Sequence, residues 1–168
     1  MTRQITVLAL LLSCTLTAAT VQAHQHTGHA GMHGIAATPD PASASAPEGL
    51  RIQDCWIRAM PAGLPSAAYF HMENTGNTPL TLQAVHNSHF GSTHLHTSQG
   101  KSGGMKTVSQ LVVPAGGSLD FAPGGHHVML EQPSSPPTPG TNMPLSFLFE
   151  GSLLATADCA VKPANTLQ

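Results

Sequence analysis

Pro114-Ala-Gly-Gly-Ser-Leu-Asp-Phe-Ala-Pro-Gly-Gly-His-His-Val-Met-Leu-Glu-Gln-Pro133 reads as two short strands held between breaks. Pro-Ala-Gly-Gly and Pro-Gly-Gly are turn sequences, because proline presets one backbone angle and glycine accepts the left-handed one. The segments between and after them, 118–121 and 127–131, are too short for stable helices and are rich in residues that suit a pleated surface. Side chains two apart on a strand share a face, so His127 and Met129 project to one side and Val128 and Leu130 to the other. His126 then faces away from His127.

The same pattern extends outward in both directions. Candidate strands are 51–58, 67–73, 80–85, 93–97, 105–113, 118–121, 127–131, 145–150 and 153–161, with turns at 74–79, 114–117, 123–125 and 133–142. Many short strands with no long helical period predict an all-β fold, an antiparallel sandwich or barrel in one domain over 49–163, followed by a short tail at 164–168. Its apolar payload comes from residues such as Trp56, Ile57, Phe70, Leu82, Val85, Phe121, Val128, Leu130, Leu145, Phe147 and Phe149.

The ends of the chain are different. Residues 1–23 carry one Arg, an apolar run and a small-residue ending at Ala23, the pattern of a secretory signal peptide. The alternative is a lipoprotein signal with Cys14 lipidated. No stretch is long and apolar enough for a transmembrane helix. Residues 24–48, rich in Ala, Pro, Gly, Ser and His, are expected to form a disordered leader. Loss of Arg3 with the signal leaves five Lys and Arg against eight Asp and Glu, a net charge of about −3, and no basic stripe that would suit nucleic acid. Cys55 and Cys159 remain, an even pair in an exported chain, which suggests a disulfide; a redox or metal-binding pair is the alternative.

His94 and His96 repeat the alternate spacing of His127 and Met129, and Met105 lies beyond a Gly- and Ser-rich turn at 97–104. Two facing strand pairs would gather these His and Met side chains. Thioether sulfur is a soft, neutral donor suited to Cu(I), whereas zinc favours Cys, His and carboxylate and the hard cations favour oxygen. The bland readings are that Met129 fills the core and that His86 and His89 are solvated beside a turn. His71 and Met72 occupy opposite faces of one strand, so at most one of them could join a given site.

Asp54-Cys-Trp-Ile-Arg-Ala59, Ser66-Ala-Ala-Tyr69, Asn74-Thr-Gly76, Leu95-His96, Pro114-Ala-Gly-Gly117 and Pro123-Gly-Gly-His-His-Val-Met-Leu130, in this order over residues 50–162, resemble the periplasmic copper chaperones called PCu(A)C. The resemblance implies a cupredoxin-like Greek-key β-sandwich that binds Cu(I) through two His and two Met. The family's spacing is His, ten residues, Met, twenty-one residues, His, one residue, Met. Met105, His127 and Met129 match it without a gap. His94 satisfies the ten-residue count, whereas the context of His96 matches the family's Leu-His strand, so the resemblance favours His96 as the fourth ligand, with His94 the alternative. The resemblance further implies a periplasmic location and delivery of copper to the dinuclear centre in the copper-bearing subunit of cytochrome c oxidase, with a thioredoxin-like assembly factor assisting.

Cleavage after Ala23 would expose His24-Gln25-His26, with His29 and His33 close behind. A free amine, two amides and a third-position His can wrap Cu(II) in a square-planar nitrogen set, so His24, His26, His29 and His33 form a candidate second site. A loosely scavenging His-rich tail is the plainer reading. No HExxH motif occurs, and a carrier rather than an enzyme is expected. A copper resistance or storage binder would use the same ligands, and a copper redox enzyme is the remaining alternative.

Overall fold

The computed structural model describes residues 44–98 and 104–167. The signal segment, Cys14 and the leader histidines His24, His26, His29 and His33 lie outside them. The described chain is all-β, with ten strands: β1 (Leu50–Arg58), β2 (Ser66–Asn74), β3 (Leu80–His86), β4 (Phe90–Ser98), β5 (Met105–Thr107), β6 (Leu111–Val113), β7 (Ser118–Phe121), β8 (His126–Pro133), β9 (Asn142–Phe149) and β10 (Leu153–Lys162). A single 3-10 turn, Glu150–Ser152, joins the last two. Gly151 there has φ of 76°, a left-handed backbone that glycine adopts without cost from a Cβ.

The strands follow the order β5-β4-β8-β7-β2-β1-β10-β9-β3-β6, with β8 also pairing to β2. Most pairs are antiparallel, as the strand pattern predicts, but β1 with β10 and β7 with β8 are parallel. The sheet curls until β3 packs against β4, and the Thr93 hydroxyl donates to the Val85 carbonyl across that junction. Ile57, Phe70, Met72, Leu82, Val128, Leu130, Leu145, Phe147 and Phe149 fill the interior of the curl. Burying a side chain of this size contributes about 1.5–3 kcal/mol, so this apolar set is the main source of stability.

The segment 105–113, read from sequence as one strand, is two. β5 pairs with β4 and β6 pairs with β3, at opposite ends of the strand order, and the chain crosses between them at residues 108–110. Cys55 and Cys159 form a disulfide between β1 and β10. The Ser45 carbonyl accepts from the Leu154 amide at 3.0 Å, so backbone pairing starts a few residues before the composition change at Gly49.

One irregularity positions the outer face. Gln53 lies opposite His71 and Trp56 opposite Tyr69, so three steps along β1 match two along β2. This is a β-bulge, and Asp54 within it has φ of 52°. Before it, Leu50 and Ile52 face the core; after it the inward set becomes Cys55, Ile57 and Ala59. Trp56 and Arg58 are thereby moved to the outside, beside Tyr69.

Candidate metal site

The outer face of β8 and its neighbours carries the candidate ligands. β4 pairs with β8 so that His96 lies directly opposite His127 and His94 opposite Met129. β5 pairs with β4 so that Met105 lies opposite Ser98, two residues from His96 and on the same face. Leu95, Val128 and Leu130 take the other face and are buried in the core. The core side of each strand thus holds its ligand side in place.

His127 is 6% exposed, and its Nδ1 lies 3.0 Å from the Gly125 carbonyl. A carbonyl only accepts, so Nδ1 carries the proton and Nε2 keeps a free lone pair, the form in which imidazole ligates a metal. The His96 ring meets that of His127 nearly edge-on, with centroids 5.4 Å apart. Its Nε2 is paired with the Thr107 hydroxyl at 3.0 Å, and its Nδ1 is buried with no protein partner. A cation at that nitrogen would supply the missing partner. Burial holds the His96 imidazole below its ordinary range; the His127 and His94 rings add to the shift and Glu131 opposes it. The neutral ring is the one that can donate to a metal.

His94 is placed differently. It is exposed, stacks against His96 at 6.3 Å, and its Nε2 lies 3.7 Å from Glu131 Oε2, a carboxylate that also accepts from the Ser92 hydroxyl at 3.2 Å. Both histidines share the face, but only His96 sits across from His127.

Met105, 63% exposed, Met129 and His127 border one concavity of about 270 Å³, whose wall also includes Tyr69, Arg58 and Met60. The site therefore has a buried, hydrogen-bonded imidazole at one side and an open thioether at the other. Arg58 lies over the rings of Trp56 at 5.4 Å and Tyr69 at 5.0 Å, and the Trp56 and Tyr69 centroids are 4.5 Å apart. Tyr69 in turn stands 6.4 Å from His127. Burial pushes the Tyr69 phenol up, against the pull of the Arg58 guanidinium, and the ring serves as an apolar wall. Reading from sequence counts Trp56 in the apolar payload without saying which way it faces, and gives Arg58 and Met60 no role. The signal missed was the break in alternation at Asp54.

The other histidines stay apart from this site. His126 points inward against Phe121 at 5.8 Å. His71 Nδ1 pairs with Asp120 at 2.6 Å, and Met72 is buried on the opposite face. His89 is not simply solvated: it is held by the Ser135 carbonyl at 2.6 Å and the Ser134 hydroxyl at 3.1 Å. Among the described residues no group of three or more His, Cys, Asp or Glu side chains could hold a metal ion.

Residues 50–161 match the family described as "Putative lipoprotein LpqE-like". A protein of Leifsonia xyli subsp. xyli named "Putative lipoprotein Lxx21020" is 29% identical over 129 residues, covering 73% of this chain and 77% of its own length. The copper-bound PCuAC domain from PmoF2 has a similar structure, with a TM-score of 0.60 and 25% identity over 68% of this chain and 93% of that one. The solution structure of CuI-DR1885 from Deinococcus radiodurans is similar with a TM-score of 0.58 and 26% identity, covering 72% of this chain and 83% of that one.

Proposed function

We propose, from the premise that this chain belongs to the LpqE-like family, that it is an exported copper chaperone which carries Cu(I) on Met105, His127, Met129 and His96. The observation that carries this reading is the register of β4 on β8, which sets His96 opposite His127 with Met129 one repeat away and Met105 on the adjoining strand. The copper bound by the similar PCuAC domain of PmoF2 and by DR1885 supports the choice of metal.

The chain's own groups fit a carrier. His127 offers a preset lone pair on Nε2, and its hydrogen bond to Gly125 removes the choice of tautomer. All four donors are neutral, so uptake of Cu(I) displaces no proton from a thiol. Met105 is the exposed donor and the one an incoming ligand reaches first. Release then runs by exchange of Met105 for a donor of the acceptor, with the buried His127 letting go last. The acceptor in this reading is the dinuclear copper centre of cytochrome c oxidase, assisted by a thioredoxin-like factor, in the periplasm.

Cleavage after Ala23 would leave the leader histidines His24, His26, His29 and His33 as a Cu(II)-capable tail. The lipoprotein names of the family and of the Leifsonia relative favour a second reading, a membrane tether through Cys14. No helix among the described residues is long and apolar enough to cross a membrane.

The test is competitive Cu(I) titration of single variants. His96→Ala, His127→Ala, Met105→Leu and Met129→Leu should each lower affinity by at least about tenfold, the lower bound already typical of groups that only support a ligand. His94→Ala should change it by less than that. Loss confined to His94→Ala would reverse the histidine assignment, and unchanged affinity in both Met variants would remove the site.

A further inference from the structure

One sulfur beside the copper site is left without a role. Met60 follows β1, and its backbone amide donates to the buried Ser66 hydroxyl at 3.2 Å, which anchors the position. Its side chain belongs to neither of the two apolar clusters. It borders the same concavity as Met105, Met129 and His127. His96 does not border that concavity and meets His127 from the β4 side.

We propose that Met60 is a third thioether donor, taking the copper cargo when His96 releases it; this rests on the function proposed above. The bond from copper to His96 breaks and a bond from copper to the Met60 sulfur forms. Both donors are neutral, so no electron and no proton moves. The donor set passes from two imidazoles and two thioethers to one imidazole and three thioethers. That set is softer and discriminates further in favour of Cu(I). It also places copper on the concave side, where Met105 opens to solvent.

The test uses the full mature chain labelled with selenomethionine, loaded with Cu(I) and read at the copper edge by X-ray absorption. In a His96→Ala background, copper should have three selenium neighbours. Adding Met60→Leu should reduce them to two and weaken Cu(I) binding by at least about tenfold, while Met60→Leu alone has a smaller effect. Two selenium neighbours in His96→Ala overturn the proposal without any change at Met60, so the result does not depend on how that variant folds. Three that persist after Met60→Leu overturn it as well. Failure of the underlying site is separate: it would appear as a selenium count unmoved by Met105→Leu and Met129→Leu in the parent chain.

Discussion

Asn74 is the residue on which the turn after β2 depends. Its side chain is 0% exposed, and all of its polar capacity is turned inward: Nδ2 donates to the Thr78 carbonyl at 2.8 Å and to that of Val113 at 3.3 Å, and Oδ1 accepts from the Gly76 amide at 3.0 Å. Asn74→Ala leaves buried groups unpaired and should cost about 3 kcal/mol, given roughly 1–3 for each such group. A lower urea midpoint at constant slope would register it, with Cu(I) affinity unchanged because the turn is remote from Met105 and His127. At this scale, alternation makes His127 and Met129 legible as a pair, and likewise His94 and His96. The choice between the two upstream histidines is not legible, because it depends on which of them β8 places opposite His127. Met60 is invisible for the same reason: nothing in its neighbours along the chain says that it meets Met105 across a concavity.

The bulge in β1 decides what surrounds the site. Asp54 holds a left-handed φ of 52°, which a β-branched side chain resists. Asp54→Val should therefore destabilise the fold by about 1–2 kcal/mol. It should also shift the emission of Trp56, the sole tryptophan, since the bulge is what brings that ring against Tyr69. An unshifted spectrum with unchanged stability would mean that the bulge tolerates any residue. The strands themselves are mostly readable from turn residues and β-formers. Two features are not. The bulge shows only as a run, Cys55-Trp56-Ile57, that is apolar on consecutive positions. The division of 105–113 leaves no composition signal, because Met105 to Thr107 and Leu111 to Val113 each look like strand and only their partners differ.

For the molecule as a whole, the disulfide links the first and last strands of the described fold. Cys55 and Cys159 are 104 residues apart. A crosslink closing a loop of that length limits the unfolded chain, and its removal should lower stability by roughly 2–5 kcal/mol. Thermal unfolding of the double Cys55→Ala, Cys159→Ala variant against the oxidised parent measures this, and equal midpoints would contradict it. The all-β class and the pairing of the two cysteines are both legible in sequence. The parallel arrangement of β1 and β10 is not, since it depends on how far the sheet curls before its ends meet.

That arrangement has a mechanical consequence. Because β1 and β10 run the same way, the chain enters at one end of the pair and leaves at the other, and tension on the two termini shears one strand along the other. The disulfide bridges the sheared pair and shields everything between its cysteines. With the two cysteines 104 positions apart, roughly 350 Å of contour length is withheld from extension until the bond is reduced. Single-molecule stretching with and without reductant should differ by about that length.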